Sequence, residues 1–331
     1  MLPLEKRIEV LSWLGQYMLS DDDAWQLTKE LAINNNGWFT PGNIELATRN
    51  IATQYLDADK LNAWVASYPI QNVQQRHVGM VMAGNIPLVG FHDLLCGFIA
   101  GHKLSVKLSS KDTMLMKHLI DKMIEKEPSI AEQITIAEVL KGCDAYIATG
   151  SNNTARYFEQ YFAKYPHIIR RNRTSVAVLD GNETEEELSL LADDIFSYFG
   201  LGCRNVTQVC IPQGYDLTKL IDACNKYSDL IYHHKYKNNF DYYLAIYLLN
   251  KVPYLSNNSM LVVQNDIPFS AVSVLHYRYY DDKADIIAEL QNSGDIQCLV
   301  GKGLLPFGQA QNPGLADYAD GVNTMQFLTG L

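Results

Sequence analysis

The sequence predicts an α/β fold of mostly parallel sheets covered by helices, entered through a helical N-terminal segment. Three observations carry this. From residue 76, short β-rich runs such as "VGMVMAG", "KLSVKLS" and "CDAYIATGS" alternate with stretches of helical periodicity, as parallel strands joined by crossover helices do. Residues 1 to 75 instead read as helices, each with an acidic or capping residue ahead of an apolar stripe. Beyond residue 203 the alternation resumes with "VTQVCIP", "SMLVVQ", "AVSVLHY" and "IQCLVG", a second α/β unit.

The opening "MLPLEKRIEVLSWLGQYML" is amphipathic, and Glu5, Lys6, Arg7 and Glu9 within it exclude a secretory apolar core. "DDDAWQLTKELAINN" and "TPGNIELATRNIATQYL" continue the helical segment. Strand "VGMVMAG" leads into a helix in "PLVGFHDLLCGFIAG". "KLSVKLS" leads into one whose Leu115, Met116, Leu119, Ile120, Met123 and Ile124 share an apolar face. "CDAYIATGS" precedes a helix over "NNTARYFEQYFAKY", and strand "TSVAVLD" precedes the acidic-start helix "ETEEELSLLADDIFSYFG". A helix from about Leu217 to Tyr227 follows "VTQVCIP". The tyrosine-rich "YHHKYKNNFDYYLAIYLL" has the spacing of a helix packed in the core, a reading preferred to that of an acyl-chain channel. Its adjacent His233 and His234 cannot share one helical face, which argues against a metal pair. The expected organisation is a helical segment 1–75, a unit 76–202, a unit 203–305 and a loop-rich tail 306–331, with Gly200 and Gly202 marking the central boundary.

Composition narrows the function classes. The 331 residues are 47% hydrophobic and 19% charged, enough apolar material for a sizeable core. The net charge of −10 is spread along the chain, with no lysine- or arginine-rich block, so nucleic acid is not an expected partner. The charge-free "HVGMVMAGNIPLVGFH" holds Gly, Asn and Pro and falls short of the about 20 apolar residues of a membrane span. Six scattered cysteines without a C-x-x-C pair fit a reduced cytoplasm and give no zinc site, so no metal is expected.

Four local features bear on chemistry, each with two readings. Cys203 in "YFGLGCRN" sits in a turn between a helix stopped by glycines and the next strand. Arg204 beside it would favour a reactive thiolate, while a buried structural thiol explains the same letters. Asn85 in "MAGNIPLVG" would point its amide across a sheet edge, or is a routine turn residue. Lys107, Ser109 and Lys111 end a strand where ribose hydroxyls or a 2'-phosphate would be met, or are simply solvated. Ser151 in "ATGSNN" opens a helix whose N-terminus suits phosphate, or only caps it. Neither G-x-G-x-x-G after a strand nor a P-loop is present.

Their order resembles the aldehyde dehydrogenase superfamily, and within it the LuxC-type fatty acyl-CoA reductases, along most of residues 76–331. "AGNIPLVGFHDLLCGFIAGHKLSVKLSSKD" is similar to that superfamily's asparagine loop and lysine strand, and "YIATGSNNTARYF" to its Gly-Ser turn. "YFGLGCRNVTQVCIP" is similar to its cysteine loop. "LLPFGQAQNPGLADYADGVNTMQFL" resembles the Pro-Phe-Gly tail of the LuxC branch that folds back toward the active site. The resemblance implies an aldehyde-dehydrogenase-like fold: a Rossmann-type parallel-sheet cofactor unit and a second, catalytic α/β unit. It makes Cys203 the acyl-accepting nucleophile and Asn85 an oxyanion donor. It assigns Lys107 and Ser109 to the adenosine ribose of NADPH or NADH, with the two lysines favouring NADPH. Gly150 and Ser151 would line the phosphate or nicotinamide side. Asp266 in "QNDIPF" falls where the superfamily keeps an acid against the nicotinamide ribose, and equally reads as a surface turn aspartate.

Two departures qualify the resemblance. The segment "IIRRNRTSVAVL" lacks the glutamate with which aldehyde-oxidising members activate water. Arg170, Arg171 and Arg173 stand there instead, as phosphate ligands or surface ion pairs. The chain is also shorter than typical members. The implied activity is NAD(P)H-dependent reduction of an acyl-CoA or other acyl thioester to aldehyde, with a homo-oligomer or an acyl-transfer protein as partner. A thioester-forming acyltransferase and a non-catalytic scaffold are the alternatives.

Overall fold

The structure, a computed structural model, describes residues 1–331. The chain forms two units, Met1–Asn172 with Pro313–Leu331, and Arg173–Asn312.

The first unit opens with α1 (Leu4–Met18), α2 (Asp23–Asn35), α3 (Pro41–Asn50) and α4 (Ala58–Val65). Three starts are written in the sequence: Asp22, Thr40 and Asp57 each accept N–H groups of the first turn. Strands β1 (His77–Val81), β2 (Lys103–Lys107), β3 (Ile134–Ile136), β4 (Ala145–Thr149) and β5 (His167–Arg170) follow. They form an all-parallel sheet ordered β3-β2-β1-β4-β5. Helices α5 (Phe91–Ala100), α6 (Thr113–Lys126) and α7 (Asn152–Phe162) lie along its crossovers. Strand order reverses between β1 and β4, the switch point outside whose carboxyl ends doubly wound sheets bind ligands.

The second unit comprises β6 (Thr174–Val178), α8 (Glu185–Phe196), β7 (Val206–Pro212), α9 (Leu217–Ala223), α10 (His234–Leu249), β8 (Leu255–Ser256), β9 (Leu261–Gln264), β10 (Val274–Tyr280), α11 (Lys283–Gln291) and β11 (Ile296–Val300). Its sheet runs β11-β6-β7-β10-β9-β8, parallel except where β8 meets β9. A capping box between Thr184 and Glu187 starts α8. The chain then returns to the first unit, ending in α12 (Thr324–Thr329).

The division differs from the sequence expectation. It falls at 172/173, not at 202/203, because "TSVAV" pairs with β7 and β11 and so carries α8 into the second sheet. Gly200 and Gly202 mark only a turn inside that unit. The tail is divided too: residues 306–312 stay in the second unit and 313–331 join the first. The N-terminal helices are no separate lead-in. Leu11, Leu14, Trp25 and Ile44 share one core with Val78 and Met80 of β1, with Phe98 of α5 and with Met325 and Leu328 of α12. The helix expected to reach Tyr227 ends at Ala223 and passes into a 3-10 segment, Cys224–Tyr232. Helix α10 packs only one face, through Tyr236 and Phe240, and leaves Tyr242 60% and Leu249 83% exposed. Strands β3 and β8 and helix α12 had no signal strong enough to read. No helix is long and apolar enough to cross a membrane.

Candidate functional site

At the switch point of the first unit, the loop after β1 lies against the turn after β2. The Met82 N–H donates to the Lys107 carbonyl at 3.0 Å, prolonging the strand pairing toward Asn85. Gly84 permits the approach: a Cβ there would stand 2.6 Å from Ser109 Oγ and 3.1 Å from Asp112 Cβ. Leu88 adopts a left-handed backbone, φ 56°, and its N–H donates to Asp112 Oδ2 at 2.6 Å. The other Asp112 oxygen is buried without a hydrogen-bond partner, and burial pushes this carboxyl up to about 7. Asn85 and Ser109 are half-buried, and Lys107 is exposed.

Across the switch point, the Gly150 N–H donates to the Arg170 carbonyl at 3.2 Å, extending the β4–β5 ladder. Ser151 is exposed, and its Oγ accepts the Thr154 N–H at 3.3 Å, the ordinary capping role. The carboxyl ends of β1, β2 and β4 thus gather Asn85, Lys107, Ser109, Gly150 and Ser151 on one edge of the sheet. This set offers an amide, an amine and two hydroxyls and no carboxylate, a chemistry suited to the phosphates and hydroxyls of a dinucleotide.

In the second unit, Cys203 follows three residues with positive φ, Tyr198 at 53°, Phe199 at 59° and Gly200 at 75°. Left-handed backbone at non-glycine residues costs about 1–2 kcal/mol each. The loop is therefore held from outside. Asn205, fully buried, accepts the Gly202 N–H at 2.8 Å. Its amide donates to the carbonyls of Asp194, Ile195 and Ser197, which the end of α8 would otherwise leave unpaired. Ser175 Oγ donates to the Cys203 carbonyl at 3.2 Å and lies 3.0 Å from Cys298 Sγ, beside an irregularity in the β6–β7 register. Cys203 is half-buried. Burial pushes the Cys210 thiol up to about 11 and that of Cys224 up to about 12.

Asp266 is exposed in the loop after β9. That loop is laid over β7 and β10 by its carbonyls. Gln208 Nε2 donates to Asn265 at 2.9 Å, His276 Nδ1 to Ile267 at 2.8 Å and Thr207 Oγ1 to Pro268 at 2.6 Å.

The arginines expected as phosphate ligands or surface ion pairs separate into three roles. Arg170 is 3% exposed and pairs with Asp93 through two nitrogens, while also donating to the Ala319 carbonyl and Thr324 Oγ1. Arg171 forms an exposed ion pair with Glu159. Arg173 Nη1 donates to the Ile296 carbonyl at 3.1 Å.

Sequence reasoning missed Asp112, Asp194 and Asn205. Asp194 had a readable signal, an acid beside Leu191 and Ile195 on the apolar face of α8. Asp112 reads as a helix cap, yet its side chain caps nothing and turns to Leu88 instead. Asn205 had none, because a buried amide in a turn looks like any loop asparagine.

Residues 59–215 match the family described as acyl-CoA reductase (LuxC). The matched segment is similar to the LuxC family. This LuxC segment contains Asn85, Lys107, Ser109, Gly150, Ser151 and Cys203, whereas Asp266 lies beyond it. Among solved structures, the chain is similar to aldehyde dehydrogenase 21 from Physcomitrella patens in complex with the reaction product succinate. That likeness has 12% identity and TM-score 0.67, covering 91% of this chain and 74% of the other. An NAD+ complex of aldehyde dehydrogenase from Bacillus cereus gives 12% identity and TM-score 0.66 over 90% of this chain and 72% of the other. The Mycobacterium tuberculosis aldehyde dehydrogenase complexed with NAD+ gives 15% identity and TM-score 0.59, covering 87% and 70% respectively. No curated protein matches the chain in sequence. The chain has the α/β fold of the aldehyde dehydrogenases, and its LuxC segment supports redox chemistry on aldehyde or acyl groups.

Proposed function

We propose that this protein reduces an acyl-CoA, or another acyl thioester, to the aldehyde with NADPH or NADH through an acyl-enzyme on Cys203. The observation that carries the reading is that one LuxC-matched segment contains both Asn85 and Cys203. The Cys203 thiolate attacks the acyl carbonyl carbon, the bond from that carbon to the CoA sulfur breaks, and CoA leaves as thiolate. Asn85 and the Cys203 N–H are assigned to the oxyanion. When bound, the nicotinamide supplies hydride to the acyl carbon. Cys203 then releases the aldehyde from its thiohemiacetal and regains its thiolate.

Lys107 and Ser109 are assigned to the adenosine ribose, and Gly150 and Ser151 to the phosphate or nicotinamide side. Asp266 is assigned to the nicotinamide ribose. Exposed Lys107 and Lys111 favour a 2'-phosphate, hence NADPH. NAD+ in two of the similar structures supports a nicotinamide cofactor. His167–Val178 carries no carboxylate to activate water, and the acids paired with its arginines, Asp93 with Arg170 and Glu159 with Arg171, are engaged in those ion pairs. The thioester therefore waits for hydride.

The test is a matrix of acyl-CoA chain lengths against NADH and NADPH, followed by nicotinamide absorbance, with Cys203→Ser as control. Oxidation that requires acyl-CoA and vanishes in Cys203→Ser is expected. Turnover retained by that variant sinks the assignment, and an acyl-protein that neither cofactor discharges points to an acyltransferase.

A further inference from the structure

The Pro-Phe-Gly segment, the end of α8 and the Cys203 loop form one hydrogen-bonded circuit within the second unit. Asp194 is fully buried. Its Oδ2 accepts the Gly308 N–H at 2.7 Å and its Oδ1 accepts the Ala310 N–H at 2.9 Å. Ala310 in turn accepts Arg204 Nε at its carbonyl. Arg204 stands between Cys203 and Asn205, and the Asn205 amide closes the circuit on the Asp194 carbonyl at 3.0 Å. Gly308 is bound into the same arrangement. Its φ is 77°, and a Cβ would press on Leu190 of α8 at 3.0 Å.

A buried carboxylate on an otherwise apolar helix face is costly unless its donors are supplied, and here both come from backbone N–H groups of the returning chain. The group is thus arranged to hold that segment rather than to bind solvent. Without it, Gly308 and Ala310 lose the acceptor of their N–H groups, and the carbonyl that Arg204 bonds loses that anchor.

We propose that Asp194 is a positioning residue for the Cys203 loop: it fixes the Ala310 carbonyl, which holds the guanidinium of Arg204, the residue that follows Cys203. The inference rests on the reading of Cys203 as the reactive thiol, and it adds a tether to the tail that the family match, ending at residue 215, does not contain.

The test uses the full chain and iodoacetamide, with alkylation of Cys203 followed by peptide mass spectrometry as a function of pH. Asp194→Asn replaces one acceptor with a donor facing a backbone N–H. Arg204→Gln breaks the circuit at a half-buried residue, where folding is less at risk. Each is expected to slow Cys203 alkylation at neutral pH by about 5-fold or more and to move its pH midpoint upward, because the guanidinium favours the thiolate. Cys298 alkylation and melting temperature serve as controls for a merely structural effect. A pH profile in Arg204→Gln that coincides with the wild type overturns the inference while leaving the acyl-enzyme reading intact. A wild-type Cys203 that iodoacetamide does not touch overturns both.

Discussion

Arg170 and Asp93 are joined by two hydrogen bonds, 2.7 Å from Nη2 to Oδ1 and 3.2 Å from Nε to Oδ2, with the arginine side chain almost wholly removed from water. The same guanidinium holds Ala319 and Thr324, so it ties the returning tail to β5 and α5. Asp93→Ala leaves a buried cation with one partner removed and is expected to cost about 3–5 kcal/mol in chemical denaturation. Hydrogen exchange over residues 319–329 should rise in the same variant. A double variant, Asp93→Leu with Arg170→Met, should recover most of the loss, since apolar replacement of both partners removes the desolvation cost together with the pair.

Asp112 predicts a pH dependence of stability. Its carboxyl lies at about 7 in the folded protein, above its ordinary value of 3.8, because burial disfavours the charge. The folded state therefore binds the proton more tightly. The associated stabilisation is complete below about 4 and is lost as pH rises through about 7. Asp112→Asn keeps an acceptor for the Leu88 N–H and does not titrate. Relative to wild type, its melting temperature should rise between pH 5 and pH 8, by an amount worth on the order of a few kcal/mol. A constant difference across that range excludes a titrating Asp112.

Gly308 predicts a steric effect. Alanine there would combine a left-handed backbone, about 1–2 kcal/mol, with contact against Leu190. Gly308→Ala should lower the melting temperature, and adding Leu190→Ala should restore only the contact part, leaving the backbone cost. Full restoration would show that the backbone angle is not what requires glycine.

The thiols should separate by burial. Brief iodoacetamide treatment near pH 7.5 is expected to label Cys203 and Cys298 and to spare Cys96, Cys143, Cys210 and Cys224, whose thiols burial pushes upward. Early labelling of Cys210 or Cys224 by peptide mapping would contradict the packing around β7 and α9.

Asn85→Ala should reduce acyl-CoA-dependent nicotinamide oxidation on the order of 10²-fold or more with little change in KM, as expected of an oxyanion donor that acts in the transition state. A loss confined to KM would move Asn85 from oxyanion to ground-state binding.

Most of the strand and helix alternation was legible in the sequence, as were the turns carrying Asn85, Lys107, Gly150, Ser151 and Cys203, because those signals are local: periodicity, glycine stops and caps act within a few residues. What tertiary structure decided lies between residues far apart. "TSVAV" reads as a strand in either sheet, and only its pairing with β7 and β11 assigns it to the second. Arg170 reads as a surface cation until Asp93, 77 positions away, buries it. Asp194 and Gly308 meet across 114 positions. A carboxylate's burial and partners are properties of the packed chain, not of its neighbours in sequence, so the residues that hold the Asn85 and Cys203 loops in place emerged only from the fold.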